Sequence, residues 1–104
     1  MSLFYKLIGH EAVQCTALEC ASVLSSNRIL FRDEFMVNGD PVLVSTSFLG
    51  MDYGISKAHP LVFETMVFGG EHSSYLDRYS TWDEAAAGHL AANELVRFGL
   101  IRNP

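Results

Sequence analysis

The middle of the chain alternates apolar and polar residues with a period of two over Ile29–Val37 and Val42–Leu49. A third segment, Leu61–Phe68, is equally rich in β-branched and aromatic residues and is bounded by turn residues. These patterns predict three strands. Asn38-Gly39, between the first two, is the dipeptide that two-residue hairpins favour, because both positions need a positive φ. The sequence therefore predicts an antiparallel pair followed by a third central strand.

The strand residues divide between two predicted faces. Over Ile29–Val37 we expect Ile29, Phe31, Phe35 and Val37 on one face, and Arg32 and Glu34 on the other with Leu30 and Met36. Shorter apolar segments predict further strands over Leu3–Ile8, Ala12–Cys15 and Tyr75–Tyr79.

Two helices are predicted from start signals and apolar spacing. Thr16 and Glu19 form a capping box, and Ala17, Ala21 and Leu24 follow at helical spacing with Cys20 beside them. A second helix follows the overlapping capping boxes of Ser80 with Asp83 and Thr81 with Glu84, and ends before Gly99. Its predicted inner stripe consists of Trp82, Ala85, His89, Ala92 and Val96.

The order of these elements predicts a single α+β domain over residues 1–104. We expect a mainly antiparallel sheet of four to five strands, with both helices, 16–25 and 82–98, packed on one of its faces. With 104 residues, 49% of them hydrophobic and 18% charged, the chain can bury a core of that size.

The net charge of −5 changes the expected partners. The sequence shows no basic patch, so direct binding to nucleic acid is not expected. Its acidic surface serves ordinary solubility or docking on a basic partner. The absence of a signal peptide or a long apolar run predicts a cytoplasmic protein without membrane binding. Cys15 and Cys20 lack metal-type spacing and are expected to be reduced.

Glu64 is chemically suggestive because it lies among apolar residues of a predicted central strand. Burial would raise its pKa and suit it to acid–base chemistry. The alternative is that Glu64 faces solvent or pairs with Arg32 or Arg78 across the sheet. The sequence does not decide between these positions.

Other catalytic and cofactor patterns are weak. The four histidines match no metal-binding spacing, no nucleophile elbow surrounds a serine or cysteine, and Gly69-Gly70 is not a phosphate-binding loop. We therefore expect no catalytic residue, no metal and no cofactor. His89, on the inner side of its helix, is expected to be a hydrogen-bonded core residue.

The loops 50–60 and 69–74 are the better candidates for function, because loops held by a rigid sheet tend to carry binding groups. Tyrosine and tryptophan near them are typical of binding hot spots, although Tyr53, Tyr75, Tyr79 and Trp82 could instead cover the edge of the core. The predicted binding residues are Asp52, Tyr53, His59, Glu64, Glu71, His72, Tyr75 and Tyr79.

Segments 45–52 (STSFLGMD), 60–70 (PLVFETMVFGG) and 78–89 (RYSTWDEAAAGH) resemble a group of small hypothetical proteins encoded by phages, prophages and bacterial genomes. Members of the group often have a more glycine-rich loop after the aspartate, from which Tyr53-Gly54-Ile55 departs. The resemblance carries no catalytic assignment. It implies an accessory protein of a phage or mobile element, and by analogy one that binds and blocks host factors.

Three functions follow as hypotheses. The first is a non-enzymatic protein that binds a host protein or nucleoprotein complex, for instance as an inhibitor of a defence system such as CRISPR. The second is a small enzyme or ligand-binding domain built on Glu64 and the 50–60 loop. The third is a structural or assembly component, which would form a stable homo-oligomer such as a homodimer.

Overall fold

The computed structural model describes residues 3–53 and 59–99. In chain order its elements are β1 (Tyr5–Ile8), β2 (Glu11–Gln14), α1 (Ala17–Leu24), β3 (Ile29–Val37), β4 (Asp40–Phe48), β5 (Phe63–Phe68), β6 (Leu76–Tyr79) and α2 (Trp82–Phe98). Strands β3 to β6 form a four-stranded antiparallel sheet in sequential order, and β1 and β2 form a separate two-stranded sheet. The α+β class predicted from the sequence is confirmed.

The hairpin of β3 and β4 turns where the sequence predicts it. Asn38 and Gly39 have φ values of 53° and 85°, and Val37 pairs with Asp40 across the turn. Two successive residues with positive φ give the turn a twist that matches the twist of the strands. The local sequence therefore sets the register at this end of the sheet.

Helix α2 covers one face of the four-stranded sheet, which we call the inner face. Along β4 the side chains of Val42, Val44, Thr46 and Phe48 are buried, and along β5 those of Phe63, Thr65 and Val67. The helix turns Ala85, His89, Ala92 and Val96 towards them, with Trp82 half-buried, as the sequence predicts. Three of these five residues are alanine or valine, so the helix backbone lies close to the sheet.

Both helices begin with the predicted capping boxes. Thr16 accepts the Glu19 amide, and the Glu19 carboxylate accepts the Thr16 amide; Thr81 and Glu84 do the same in α2. Gly99 ends α2 with a φ of 65°, the left-handed cap that its position predicts.

The predicted faces of β3 are wrong at its first two residues. The register between β3 and β4 shifts between Ile29 and Phe31, which marks a bulge. A bulge adds one residue to a strand and exchanges the faces of those beyond it. Ile29 is consequently exposed, while Leu30 packs against the core around Phe48.

Helix α1 differs from its predicted packing. Ala17, Ala21 and Leu24 are exposed, whereas Cys20 is buried and Val23 is half-buried. Helix α1 contacts β1, so α1 covers the two-stranded sheet of β1 and β2, whereas α2 covers the four-stranded sheet. The Cys20 thiol donates to the Gly50 carbonyl, which also accepts the Tyr5 amide, and these bonds join the hairpin to the end of β4.

The close approach of α2 gives a testable consequence at Gly88. A Cβ atom at this position would overlap the phenol ring and hydroxyl of Tyr79. We expect Gly88→Ala to lower the free energy of unfolding by about 1–3 kcal/mol through overpacking. Urea unfolding followed by circular dichroism measures the change.

Helix propensity alone predicts the opposite sign, because alanine is favoured over an exposed helical glycine by about 1 kcal/mol. A gain in stability for Gly88→Ala would therefore contradict the packing against Tyr79. Ala87→Gly, at the exposed neighbouring position, is the control and should cost about 1 kcal/mol through propensity.

Candidate functional site

The eight predicted binding residues lie in four separate places. Asp52, Tyr53 and Glu64 lie near the β4–β5 connection, and His59 lies in a groove beside α2. Glu71, His72 and Tyr75 lie at the opposite end of β5, and Tyr79 is in the core. Residues 54–58 of the predicted 50–60 loop lie outside the described residues.

The face of the sheet turned away from α2 carries the alternate residues of each strand, and we call it the outer face. At one end it presents an apolar patch, which we define as Met36, Leu43, Met66, Phe68 and Leu76. Leu43 pairs with Phe68, and Met66 pairs with Leu76, so these side chains lie directly beside one another. Met36 is 70% exposed, and Phe68 and Leu76 are each 47% exposed.

Glu64 lies on the outer face at its other end, in the row formed by Ser47, Glu64 and Arg78. Its carboxylate accepts a hydrogen bond from Arg78 Nε at 2.9 Å. The Arg78 guanidinium also lies over the Tyr53 ring, 5.1 Å from the ring centre. One predicted alternative for Glu64 was a cross-strand pair with Arg32 or Arg78, and the pair with Arg78 is observed.

Asp52 closes the base of the loop between β4 and β5. Its carboxylate accepts the Leu61 amide at 2.9 Å, and the Tyr53 amide donates to the Leu61 carbonyl. His59 is exposed and lines a groove of about 540 Å³ together with His10 and Trp82, whose rings stack 3.7 Å apart.

At the far end of β5, His72 and Glu71 are adjacent, with His72 Nε2 3.5 Å from the Glu71 carboxylate. Tyr75 is half-buried against the core around Val44, and burial raises the pKa of its hydroxyl. Tyr79 is buried, and burial raises its pKa more strongly. The strand position of Tyr79 faces α2, so for this residue the structure shows the alternative in which the aromatics cover the core.

The inner face contains a hydrogen-bonded chain that the sequence did not predict. Thr65 and Thr46 hydroxyls lie 2.5 Å apart, and Thr46 Oγ1 lies 2.7 Å from His89 Nδ1. His89 Nε2 lies 2.8 Å from the Asp33 carboxylate, which also accepts from Asn93 at 2.9 Å. We call these five residues the inner network.

The Asp33 carboxylate at one end of the inner network sets the direction of the hydrogen bonds along it. A carboxylate accepts only, so His89 Nε2 carries the proton donated to Asp33. In the neutral imidazole Nδ1 then accepts from the Thr46 hydroxyl, which in turn accepts from Thr65. The two threonine hydroxyls and both ring nitrogens of His89 therefore all have hydrogen-bond partners in this arrangement.

The order of carboxylate, imidazole and hydroxyl is the order that nucleophilic hydrolases use. Here, however, Thr46 and Thr65 have no exposed surface, and His89 is 3% exposed. A substrate cannot reach the hydroxyl without displacing α2. The inner network is therefore a structural element that positions the helix on the sheet.

A signal for this network was present in the sequence. Asp33 stands between Phe31 and Phe35 with the period of two, so it shares the apolar face of β3. A charged residue on a core-facing position calls for a polar partner on the element packed against it. The predicted inner stripe of α2 offered His89 as that partner.

Among the described residues, no group of three or more histidine, cysteine, aspartate or glutamate side chains could hold a metal ion. None of the helices within the described ranges is long and apolar enough to cross a membrane. No protein-family model matches the chain, and neither does any curated protein or solved structure.

The inner network makes stability depend on pH through Asp33. Hydrogen bonds from Asn93 and His89 hold the pKa of Asp33 below its usual value. A lowered folded-state pKa stabilises the fold above the ordinary aspartate pKa of about 3.9, and this contribution is lost as the pH falls further. We expect Asp33→Asn to cost about 1 kcal/mol or less at pH 7, because the carboxylate is half-exposed.

Urea unfolding at several pH values between 7 and 3 measures this contribution. The difference between wild type and Asp33→Asn should shrink as the pH falls below about 4. Asp40→Asn, which changes an exposed carboxylate at the hairpin turn, is the matched control. A difference that stays constant over the whole range would contradict the assigned role of Asp33.

Proposed function

We propose that this protein acts by binding another protein, and that the outer face of the four-stranded sheet is the binding surface. The observation that supports the proposal is the apolar patch of Met36, Leu43, Met66, Phe68 and Leu76. These side chains lie on a rigid antiparallel sheet, and no described helix or strand covers them. Contiguous exposed apolar residues with a polar rim are typical of interaction sites.

The rim of the patch carries suitable polar groups. Arg32 and Glu34 border it on β3, Glu64 borders it on β5, and Arg78 borders it on β6. Arginine and tyrosine are enriched among residues that dominate binding energy. Arg78 stacked on Tyr53 is such a pair, held in place before a partner arrives.

The dimensions of the surface suit a partner of ordinary size. Strands about 4.8 Å apart and rows about 6.6 Å apart give each residue roughly 32 Å² of one face, so the five residues of the patch cover roughly 160 Å² of the sheet. Protein interfaces bury about 800 Å² per partner, with an apolar centre and a polar rim. The patch corresponds to the centre of such an interface, and the charged pairs correspond to its rim.

The class of partner comes from the resemblance to small phage and prophage proteins. On that basis we propose a bacterial host protein or nucleoprotein complex, defence systems included, with the protein acting as an inhibitor. This partner class rests on analogy. The outer-face proposal rests on exposure and register and does not depend on it.

The alternative of an enzyme built on Glu64 has less support. Glu64 accepts from Arg78 in an ordinary cross-strand ion pair on the outer face. Glu64 lines neither the groove of about 470 Å³ nor that of about 540 Å³, although His59 and Pro60 of the 50–60 loop line the second. We therefore favour binding over catalysis.

Single charges placed in the apolar patch test the proposal. Phe68→Glu and Leu76→Glu should each weaken capture of the partner at least tenfold, because a buried unpaired carboxylate costs more than one hydrogen bond. Both residues are half-exposed in the free protein, so stability should change little. Affinity capture from bacterial lysate with quantitative mass spectrometry measures the effect.

Leu90→Glu is the matched control, because Leu90 is 64% exposed on α2 and lies outside the patch. Proteins retained by wild type and Leu90→Glu but lost with both outer-face variants are the predicted partners. The same proteins captured equally by all four forms would overturn the choice of surface.

A further inference from the structure

A groove of about 470 Å³ lies between α1 with the residues that follow it and strands β1, β3 and β4. Its floor is apolar and consists of Leu7, Val23, Leu30 and Phe48. The volume lies within the range of about 300–1,000 Å³ that is typical of small-molecule sites. Sites of this kind combine an apolar floor with a few polar groups that orient the ligand.

Arg28 is the polar group that distinguishes this groove. It is half-buried in the groove wall, where Nη1 donates to the Leu49 carbonyl at 3.3 Å. Within residues 3–53 and 59–99 its guanidinium has no carboxylate within ion-pair distance. Arg32 and Arg78, by contrast, are each paired with a glutamate. A guanidinium has five N–H donors, and within the described residues one of those of Arg28 is bonded, so donors remain for an anionic ligand.

The remaining charges of the groove are already compensated. Lys6 donates a hydrogen bond to the Glu19 carboxylate at 2.6 Å. This bond and a second one from the Thr16 amide lower the pKa of Glu19 to about 2. The pair is therefore neutral as a unit at physiological pH. It leaves Arg28 as the source of net positive charge in the groove.

The carbonyl end of α1 also borders the groove, and its partial negative charge would oppose an anion. Three of its last four carbonyl groups, those of Ala21, Ser22 and Val23, however, already accept hydrogen bonds. Ser25 donates through its amide and hydroxyl to Ala21 and Ser22, and Ser26 donates through both groups to Val23. The helix end therefore offers little competition to the charge of Arg28.

We infer that the groove binds a small amphipathic carboxylate, with its apolar body on the floor and its carboxylate on Arg28. A guanidinium binds a carboxylate through two parallel hydrogen bonds, which fixes the orientation of the ligand. The site is separate from the outer face of the sheet. It therefore stands or falls independently of the proposed protein-binding function.

The test uses a pair of probes that share one apolar body. 4-Phenylbutyrate carries the carboxylate, and 4-phenylbutan-1-ol replaces it with a neutral hydroxyl. Amide chemical shifts of the ¹⁵N-labelled protein are followed during titration with each. We expect millimolar or tighter binding of the acid, as for ligands of about twelve heavy atoms, with shifts concentrated in β1, α1 and residues 28–30. The alcohol should bind about tenfold more weakly.

Arg28→Gln should reduce affinity for the acid about tenfold and leave affinity for the alcohol within about twofold, because it removes the charged hydrogen bonds alone. Arg28→Lys keeps the charge but not the paired geometry, and should lie between them. Arg32→Gln is the matched control, since Arg32 is an exposed arginine of β3 outside the groove, and should bind like wild type.

Val23→Trp supplies a second variant that does not touch the charge. An indole at this half-buried position would fill the groove and abolish binding of both probes, while Ala21→Trp on the exposed side of α1 should leave binding unchanged. Equal affinity for acid and alcohol would overturn the inference. So would shifts confined to the apolar patch, or an unchanged affinity in a folded Arg28→Gln variant.

Discussion

Helix α2 lies close to the sheet, and this close approach determines most of the structure. Gly88 leaves room for the ring of Tyr79, and the buried alanines let the helix backbone approach the strands. His89 is the polar member of this surface, and it bonds Thr46 at one ring nitrogen and Asp33 at the other. A shift of the helix by one residue would break both bonds and leave buried hydroxyl and imidazole groups unsatisfied, at a cost of about 1–3 kcal/mol for each. Small residues permit the contact, and the inner network makes it specific.

The parts of the fold that local chemistry specifies were predictable. The Asn38-Gly39 turn, both capping boxes and the inner stripe of α2 depend on a few neighbouring residues, and all are confirmed. The bulge near Ile29 and the packing of α1 depend on distant contacts. Cys20 and Val23 face β1 because Cys20 bonds to Gly50, about thirty residues away, where the β1–β2 hairpin is also attached. The spacing of alanine and leucine within α1 does not encode this distant contact.

The candidate sites were predictable to a smaller extent. Alternation indicated the residues of the outer face, but the Leu61–Phe68 segment is apolar on both faces around Glu64 and did not reveal which side Glu64 occupies. Its partner Arg78 follows from the register between β5 and β6, a property of the folded sheet. Tyr79 was left open between a binding residue and one that covers the core, because alternation over a strand of four residues carries little information. The groove at Arg28 combines residues from four elements or their flanks, and its existence depends on how α1 packs.

We prefer the outer face to the sheet edge as the binding surface because charged residues protect the edge. Strand β3 is nine residues long and pairs with β4 on one side, so its other side is an edge in the described structure. Three successive charged residues, Arg32, Asp33 and Glu34, occupy its middle, and charge is a common means of preventing edge-to-edge pairing. Asp33 is in addition bonded to His89 and Asn93, which fixes that part of the strand to α2. An added strand would have to place its side chains against these charges, whereas a partner on the outer face meets Phe68 and Leu76 without such opposition. The sequence thus disfavours association at the edge and leaves the face accessible.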